Sequence, residues 1–521
     1  MPPKIDMSRE EAAEREIGST SVSRGVKALL VALFLTSLLA IPLIQATRGF
    51  EVKTPTNEPA KETEIFARLA EINHALKTTT LNIEKSLEEH SFLTKTLLPP
   101  VQTLAFRWFG VGNEKVYVAP DGWLFYRPDV DYALESGRAP TSQIDSASKA
   151  LIALHTDLAA RGIRLILLPV PVKPVVESSP LADKTDPTPP HHVAYGPFLA
   201  TLREAGVEVF DPTNLLIEAR KTTTLPQYLK TDTHWTPAAM ETVADALAKS
   251  LASPSPNTPA LRREPPVTIK NSGDLAAMLQ LLPETNAALA ESAEIHPIQL
   301  PDGSPWRPDA SSDVLLLGDS FTNIYSTPDL GWGEGAGLAE HLSWRLGRPI
   351  DRIAINAGGS LTVRQNLARN PNRLDGKKIV IYEFAVRELT SGDWRPLSIP
   401  ATKSSAPSAK SSAALTGILK AISPLPAPGS VPYKDAVISL HLVEIHGDPT
   451  SEALVFAKGM IGNVPTAASR LQPGDCLSLD AVPWESVENE FGVITRIEFE
   501  GPAADLETIY WAKENPVVTP P

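Results

Sequence analysis

The sequence predicts a doubly wound α/β domain that follows one membrane-spanning helix and precedes a small all-β domain. Three observations lead to this prediction. Apolar strands alternate with helical segments between residues 115 and 400, an uncharged run fills residues 28–47, and short strand-like segments separated by turns follow residue 431. Continuous apolar strands separated by helices are typical of a parallel sheet covered on both faces.

The composition narrows the class of protein. Lys and Arg number 48 against 61 Asp and Glu, and the net charge of −13 argues against a general nucleic-acid binder. The single cysteine, Cys476, excludes an intrachain disulfide and any zinc or iron–sulfur site built on cysteines. The 49 prolines in 521 residues indicate long irregular connections rather than general disorder, because 42% of the residues are hydrophobic.

Residues 28–47 form the predicted membrane segment. They carry no charge, and about 20 residues at ~1.5 Å each are enough to cross a hydrocarbon core of ~30 Å. A cleaved signal peptide is the alternative, since Ala46 could precede a cleavage site. We expect a retained signal anchor, with residues 1–27 as a cytoplasmic head and the large soluble part on the exported side.

Residues 48–114 are predicted to be a stalk. Apolar residues recur there at helical spacing, at Ile65, Leu69, Ile72 and Leu76. This pattern fits a simple membrane-proximal stalk and a partner-binding helix equally well.

The predicted α/β domain covers residues 115–400. It opens with two short strands around the Pro-Asp-Gly turn at 120–122. Five strands at 164–170, 207–210, 314–317, 353–355 and 378–382 then alternate with helices at 147–160, 195–205, 237–251 and 334–346. Proline-rich insertions at 179–190 and 253–266 account for the size of the domain.

A stretch rich in Ser, Ala, Pro and Lys at residues 401–431 is interpreted as a linker. Beyond it, residues 432–515 show strand-like segments broken by turns at 447–449 and 472–475. They predict a small β domain, either a sandwich or a barrel.

Three residues have the chemistry and the placement of a catalytic triad. Ser320 follows the apolar strand 314–317 through Gly318 and Asp319, at the sheet edge where doubly wound folds place their sites. A nucleophilic serine needs a base, and the base needs an orienting group. His234 lies in a loop just before a predicted helix, with Asp232 two residues upstream. The plainer interpretation is a common Gly-Asp-Ser loop and a surface histidine in a capping loop.

These motifs resemble a known family. Asp232-Thr233-His234-Trp235-Thr236, followed by Gly318-Asp319-Ser320-Phe321, is similar to the SGNH-hydrolase-like domain of the alginate O-acetyltransferase family. Ordinary SGNH esterases have the serine first, whereas here Asp-x-His precedes it, as in this family. The resemblance extends over about residues 116–394, through the segments 121–125, 169–173, 272–275 and 383–387. It does not include the stalk, the linker or the β domain.

The resemblance implies an SGNH-hydrolase-like fold with defined site roles. Ser320 would be the nucleophile, His234 the base and Asp232 its orienter, while the amides of Ser320 and Gly358 would bind the oxyanion. Asn323 or Arg364 could supply a third donor. Candidate substrate contacts are Trp235, Tyr325, Arg364 and Arg387, with Trp332 and Trp394 as further aromatic candidates. For any single aromatic residue a core or rim position is the favoured interpretation, and Arg387 could equally form a structural ion pair with Glu383 or Glu388. No cofactor and no metal is expected.

The implied function is membrane-anchored O-acetyl transfer to hydroxyls of an exported polysaccharide, through an acetyl-serine intermediate. The resemblance further implies a polytopic membrane acyl-transfer protein as acetyl donor, an inner-membrane location and a periplasmic catalytic domain. A carbohydrate acetylesterase and a non-catalytic glycan-binding scaffold remain open as alternatives. The net charge of −13 favours an acceptor less anionic than alginate.

Overall fold

The structure is a computed structural model of the 521-residue chain. It describes residues 23–47, 92–134, 141–181, 192–223, 225–251, 261–400, 413–426, 428, 431, 433–448, 450–492, 494–497, 506 and 508–519. The chain divides into two compact units, Met1–Leu98 and Pro99–Pro521.

The helices, in chain order, are α1 Arg24–Thr47, α2 Phe92–Phe109, α3 Arg127–Leu134, α4 Thr141–Ala159, α5 Lys173–Val176, α6 Tyr195–Glu204, α7 Thr213–Thr223, α8 Pro237–Leu251, α9 Gly273–Met278, α10 Pro283–Ala288, α11 Ser320–Asn323, α12 Leu338–Leu346, α13 Thr362–Arg369, α14 Glu388–Ser391 and α15 Glu488–Phe491.

The strands, in the same order, are β1 Val116–Val118, β2 Leu124–Tyr126, β3 Arg164–Val170, β4 Glu208–Val209, β5 Arg262–Arg263, β6 Val267–Asn271, β7 Glu291–Ile295, β8 Ile298–Gln299, β9 Val314–Gly318, β10 Asp351–Ala354, β11 Ile379–Ala385, β12 Ala413–Ile422, β13 Ala436–Val443, β14 Glu452–Ile461, β15 Val464–Pro465, β16 Cys476–Pro483, β17 Arg496–Ile497, β18 Ile509–Ala512 and β19 Val517–Val518.

A five-stranded parallel sheet forms the centre of the α/β domain, in the order β10–β9–β11–β3–β4. Successive side chains of a strand point to opposite faces, so the apolar runs supply both faces at once. Leu316 and Ile381 enter one hydrophobic core, whereas Leu315 and Tyr382 enter the core on the other side. The predicted doubly wound arrangement is confirmed.

Helices cover both faces of this sheet. On one side, α8 and α12 contribute Val243, Leu247 and Leu342 to the core. On the other side, α4 and α6 contribute Leu151 and Phe198. The predicted start of α12 at residue 334 is wrong by four residues. Gly333 and Gly335 adopt positive φ angles of 92° and 71°, which a right-handed helix does not accommodate.

The N-terminal predictions fall largely outside the described residues. The head before residue 23 and the stalk from 48 to 91 lie outside them, and α1 contains the predicted membrane segment. Within the part of the chain that the structure describes, no helix is both long enough and apolar enough to cross a membrane. The membrane segment 28–47 stays a prediction.

The C-terminal β domain is larger than predicted. β12 lies inside the predicted linker 401–431, whose first twelve residues are outside the described part of the chain. The linker prediction is wrong for residues 413–422, because Leu415 and Leu419 alternate into the core while β12 pairs with β13 and β16. The Ser, Ala and Pro residues on both sides of this strand give residues 401–431 the composition of a linker, so the strand was not predicted. The domain is one mixed sheet built around β12, β13, β14 and β16.

Candidate active site

Ser320 is placed by a tight strand-to-helix turn. β9 ends at Gly318, and Asp319 caps the short helix α11, its Oδ1 accepting the Phe321 amide at 2.8 Å. A Cβ on residue 318 would lie 2.2 Å from Thr322 Oγ1, so the turn requires glycine. The turn brings Ser320 to the carboxyl edge of the sheet, where open α/β sheets bind ligands.

Asp232 and His234 come from a buried loop just before α8. Isolated pairing between Tyr228 and Trp235 closes this loop. The His234 amide donates to Asp232 Oδ1 at 3.0 Å, so the backbone already holds the carboxylate beside its own imidazole. Both side chains are almost fully buried.

The three predicted residues meet at hydrogen-bond distances. His234 Nδ1 lies 2.6 Å from Asp232 Oδ1, and His234 Nε2 lies 2.8 Å from Ser320 Oγ. In this arrangement a neutral imidazole that donates from Nδ1 accepts the serine proton at Nε2. The geometry is that of a nucleophile, a base and an orienting carboxylate.

The second oxygen of Asp232 is held by two further donors. Trp332 Nε1 donates to Oδ2 at 2.8 Å, and the Asp274 amide donates to the same atom at 3.0 Å. Trp332 is fully buried. Of the two interpretations of Trp332, the core position therefore holds and the sugar groove does not, and the indole orients the carboxylate. Nothing local in the sequence around residue 332 indicates this contact.

Asp274 is a site residue to which the sequence assigned no role. Its Oδ1 accepts the Thr233 amide at 2.8 Å and its Oδ2 accepts the Thr233 hydroxyl at 2.5 Å, which fixes the loop between Asp232 and His234. Gly273 has a φ of +75°, and a Cβ there would lie 2.4 Å from the Thr231 carbonyl oxygen. The segment 272–275 was visible only as part of the family resemblance.

Asp232 and His234 each stabilise the charged form of the other. Burial alone raises the pKa of Asp232, but the charge of His234 and hydrogen bonds from His234 and Trp332 lower it to about 2. Burial alone lowers the pKa of His234, but the charge and hydrogen bond of Asp232 outweigh burial and raise it. Burial and the charge of Asp232 raise the pKa of Asp274 to about 7.

The carboxyl group of Glu383 supports the turn that carries Ser320. Glu383 Oε2, on β11, accepts the Asp319 amide at 2.9 Å and the Thr322 hydroxyl at 2.8 Å. Burial and the negative charge of Asp319 raise the pKa of Glu383 well above its usual value. The neutral acid is therefore the form that the fold favours.

Lys173 ties the Asp232 loop to the first hairpin. Its buried ammonium donates to the carbonyl oxygens of Leu124, Lys230 and Asp232 at 2.6, 2.9 and 3.0 Å. Burial lowers the pKa of Lys173 to about 8. Lys173 positions the loop without touching the imidazole.

The predicted oxyanion donor Gly358 is wrong. Its amide donates to the Ile355 carbonyl at 2.9 Å, so a local turn uses the hydrogen that the oxyanion would need. The Asn323 amide nitrogen Nδ2, the proposed third donor, is also engaged, with the Ala354 carbonyl and with Asn356 Oδ1 at 3.1 and 3.0 Å. The Ser320 amide, at the first position of α11, stays a predicted donor.

Three of the four predicted substrate contacts are corrected by burial. Trp235 and Tyr325 are both fully buried, and the Tyr325 hydroxyl donates to the Trp235 carbonyl at 2.6 Å. Arg364 is buried and donates to the carbonyls of Ser360, Arg395 and Asp393. Trp394 is also buried. These side chains hold the core and the loops rather than a sugar.

Arg387 stays near the site, with a different partner from those predicted. Its Nη1 lies 3.2 Å from Asp129 Oδ1, and its guanidinium carbon lies 5.7 Å from the Phe321 ring centre. The predicted ion pair with Glu383 or Glu388 is replaced by this one with Asp129. A contact between Arg387 and substrate stays a prediction.

Asp232, His234 and Asp274 also form the one cluster with metal-ligand chemistry among the described residues, their ligand atoms lying within 4.8 Å of one another. The facing atoms of Asp232 and His234 are already joined by the 2.6 Å hydrogen bond. An ion placed between them would have to break that bond. The donor set therefore fits a triad better than a cation.

Comparison with known families identifies the domain. The family model described as "SGNH hydrolase-like domain, acetyltransferase AlgX" matches residues 116–386, just over half of the 521 residues. The chain belongs to this family. The matched residues include Asp232, His234, Ser320 and Glu383, and the match confirms the family predicted from the motifs.

Two curated relatives match over 149 and 225 residues. "Probable alginate O-acetylase AlgJ" of Pseudomonas aeruginosa is 31% identical over 149 residues, which cover 28% of this chain and 36% of that protein. AlgJ of Pseudomonas syringae pv. tomato is 28% identical over 225 residues, 42% of this chain and 54% of that protein. The chain thus spans about a third to a half of the length of these relatives.

Two solved structures match part of the chain. The O-acetyltransferase domain of Pseudomonas putida AlgJ matches 53% of this chain and 92% of that chain, with 24% identity and a TM-score of 0.42. Pseudomonas aeruginosa AlgX matches 59% of this chain and 72% of that chain, with 18% identity and a TM-score of 0.39.

Proposed function

We propose that this protein is an O-acetyltransferase that moves an acetyl group to hydroxyls of an exported polysaccharide through Ser320. One observation carries the proposal: His234 Nε2 lies 2.8 Å from Ser320 Oγ while Nδ1 lies 2.6 Å from Asp232 Oδ1. The curated relatives described as probable alginate O-acetylases support the choice of acetyl transfer over other acyl chemistry.

In the first step, His234 Nε2 takes the proton of the Ser320 hydroxyl while Oγ bonds to the acetyl carbon of the donor. The bond between that carbon and the donor's leaving atom then breaks, and the leaving atom receives the proton from His234. Asp232 holds the imidazole in the tautomer that accepts at Nε2. Backbone amides at the turn would stabilise the oxyanion, a contribution of about 3–4 kcal/mol per donor in other enzymes.

In the second step, the same imidazole takes the proton of a sugar hydroxyl. The sugar oxygen bonds to the acetyl carbon, the bond from that carbon to Oγ breaks, and Ser320 regains a proton from His234. Water in place of the sugar would give acetate and an esterase. The triad geometry is common to both outcomes, so the acceptor decides between them.

The proposal also includes a membrane anchor, an acetyl donor and a class of acceptor. The uncharged run 28–47, which lies in α1, supports a single-pass anchor in the inner membrane with the catalytic domain in the periplasm. A polytopic membrane acyl-transfer protein would supply the acetyl group. The net charge of −13 favours an acceptor less anionic than alginate.

The test uses the full chain in detergent with a chromogenic acetyl ester, with and without neutral and uronic-acid oligosaccharides. We expect acetylated oligosaccharide by mass spectrometry, lost in Ser320→Ala and retained in the control Ser146→Ala on the exposed face of α4. Acetate release that no sugar suppresses would assign the protein as an esterase. Polysaccharide acetylation that persists unchanged in cells carrying Ser320→Ala would make it a non-catalytic scaffold.

A further inference from the structure

In the second half of helix α2, residues 101–109, polar side chains face the domain and apolar side chains face solvent. Gln102 and Thr103 are buried, whereas Val101, Leu104 and Trp108 are 61%, 56% and 79% exposed. These three apolar residues follow the spacing i, i+3, i+7, so they form one stripe on the helix surface. A helix on a soluble domain normally has the opposite arrangement.

The polar face is fixed to the α/β domain by specific contacts. Gln102 Nε2 donates to the Gly112 carbonyl at 3.0 Å, and Thr103 Oγ1 accepts the Leu282 amide at 2.8 Å. Phe106, on the same side, packs against the core that contains Leu124 and Leu275. The helix therefore cannot rotate to bury its apolar stripe without breaking these contacts.

The exposed stripe is unusual for this chain. Trp108 and Phe109, the latter 72% exposed, are the two most exposed large apolar side chains among the described residues. The other eight tryptophans are buried or half-buried. Val111, just beyond the helix, extends the patch. Contiguous exposed apolar surface of this kind marks an interaction site.

The charge of the helix points to the occupant. Arg107, next to Trp108, is exposed, and residues 92–109 contain no acidic residue, in a chain whose net charge is −13. A basic residue beside an exposed apolar stripe that contains Trp and Phe fits a helix that lies in the headgroup region of an anionic bilayer. The predicted membrane segment ends at Thr47, and 44 residues separate it from α2.

We propose that Val101, Leu104, Trp108 and Phe109 insert into the surface of the anionic bilayer in which the chain is anchored. The inference extends the anchoring part of the proposed function and is independent of the acetyl-transfer part. It gives the α/β domain a second membrane contact at its first helix, so the domain has a defined side toward the bilayer rather than a free tether.

The test measures the depth of one residue in the full chain. Phe109→Cys in a Cys476→Ser background carries an environment-sensitive fluorophore, and the chain is reconstituted into vesicles of phosphatidylethanolamine and phosphatidylglycerol. Val464→Cys is the matched control, since Val464 is an apolar residue of the β domain that is 65% exposed. With a nitroxide at the fifth acyl carbon of the lipid, we expect loss of fluorescence at residue 109 and none at residue 464.

A second pair of measurements separates the possible failures. Trp108→Gln together with Leu104→Gln should abolish the quenching at residue 109 while leaving the acetyl-ester activity unchanged. The inference would be overturned if the fluorescence at residue 109 were insensitive to the lipid nitroxide in chain that remains in the membrane fraction. It would also be overturned if a protein, rather than lipid, covered residue 109. Release of the chain by alkaline carbonate, with quenching intact on added vesicles, would remove the predicted anchor and leave the inference standing.

Discussion

At the scale of single residues, the site depends on the hydrogen bonds that both carboxylate oxygens of Asp232 accept. Both oxygens of its carboxylate are engaged, Oδ1 by His234 and Oδ2 by Trp332 and Asp274. A carboxylate with these donors stays ionised in a buried site and can hold a protonated imidazole. This makes His234 a stronger base than an isolated buried histidine would be.

Removing the charge of Asp232 should shift the pH dependence of acetyl transfer. Activity requires neutral His234, so it should rise with pH through the raised pKa of that residue. In Asp232→Asn, the charge that raises the pKa of His234 is lost, while burial still lowers that pKa. The acidic limb of the pH–rate profile should therefore move to lower pH. The rate should fall by up to about 10⁴-fold because the tautomer is no longer fixed. A pH–rate profile with an unmoved acidic limb would contradict this assignment.

Trp332→Phe should weaken catalysis by removing one donor to Asp232 Oδ2 while keeping an aromatic ring in the core. A hydrogen bond to a charged group contributes about 1.5–3 kcal/mol, so we expect kcat to fall about tenfold or more. Trp306→Phe is the control, since Trp306 is buried and its Nε1 has no hydrogen-bond partner within the described part of the chain. Equal losses of kcat in the two variants would rule out a specific role for the indole of Trp332.

At the scale of elements, the turn from β9 into α11 is held by its neighbour β11. Glu383 reaches across from β11 to the Asp319 amide and the Thr322 hydroxyl, one residue on either side of the pair Ser320 and Phe321. The apolar pattern predicted both strands, but the carboxyl contact depends on the register, in which Tyr382 faces Leu317.

Glu383→Gln should stabilise the protein, and the gain should grow with pH. A carboxyl group whose pKa is raised on folding contributes stability below its ordinary pKa and loses it as the pH rises toward the folded value. The pKa of Glu383 is raised, whereas Gln keeps an acceptor for the Asp319 amide and does not ionise. Thermal unfolding between pH 4 and pH 9 measures this. Glu383→Ala, which removes the acceptor, should unfold at lower temperature throughout, and a pH-independent difference for Gln would refute the argument.

At the scale of the whole molecule, the β domain is joined to the α/β domain by polar contacts close to the site. Thr495 Oγ1 accepts from Asn356 Nδ2 at 3.4 Å, and Asn356 in turn contacts Asn323 of the nucleophile helix. A cavity of about 430 Å³ lies between the two domains, lined on one side by Ser360 and Arg395 and on the other by residues that include Thr495.

Glu488→Ala should weaken the junction between the two domains. Glu488 Oε1 accepts from Asn366 Nδ2 at 2.5 Å. Without the carboxylate, the buried side-chain amide of Asn366 loses that acceptor. Such a loss costs about 1–3 kcal/mol, visible as a lower unfolding temperature of the full chain. Glu514→Ala, at an exposed position, should leave the unfolding temperature unchanged. The same small effect in both variants would mean that Glu488 does not hold the domains together.

The sequence alone predicted the class of the α/β domain from apolar runs of strand length, and it singled out Ser320 after a glycine turn and Asp232 and His234 in a loop before a helix. The family came from the resemblance of the motifs around these residues. The tertiary structure decided the rest, because burial and hydrogen bonding join segments far apart in the chain. Trp332 meets Asp232 across 100 positions and Glu383 meets Asp319 across 64, while the Gly358 amide is used by a turn that no local pattern reveals.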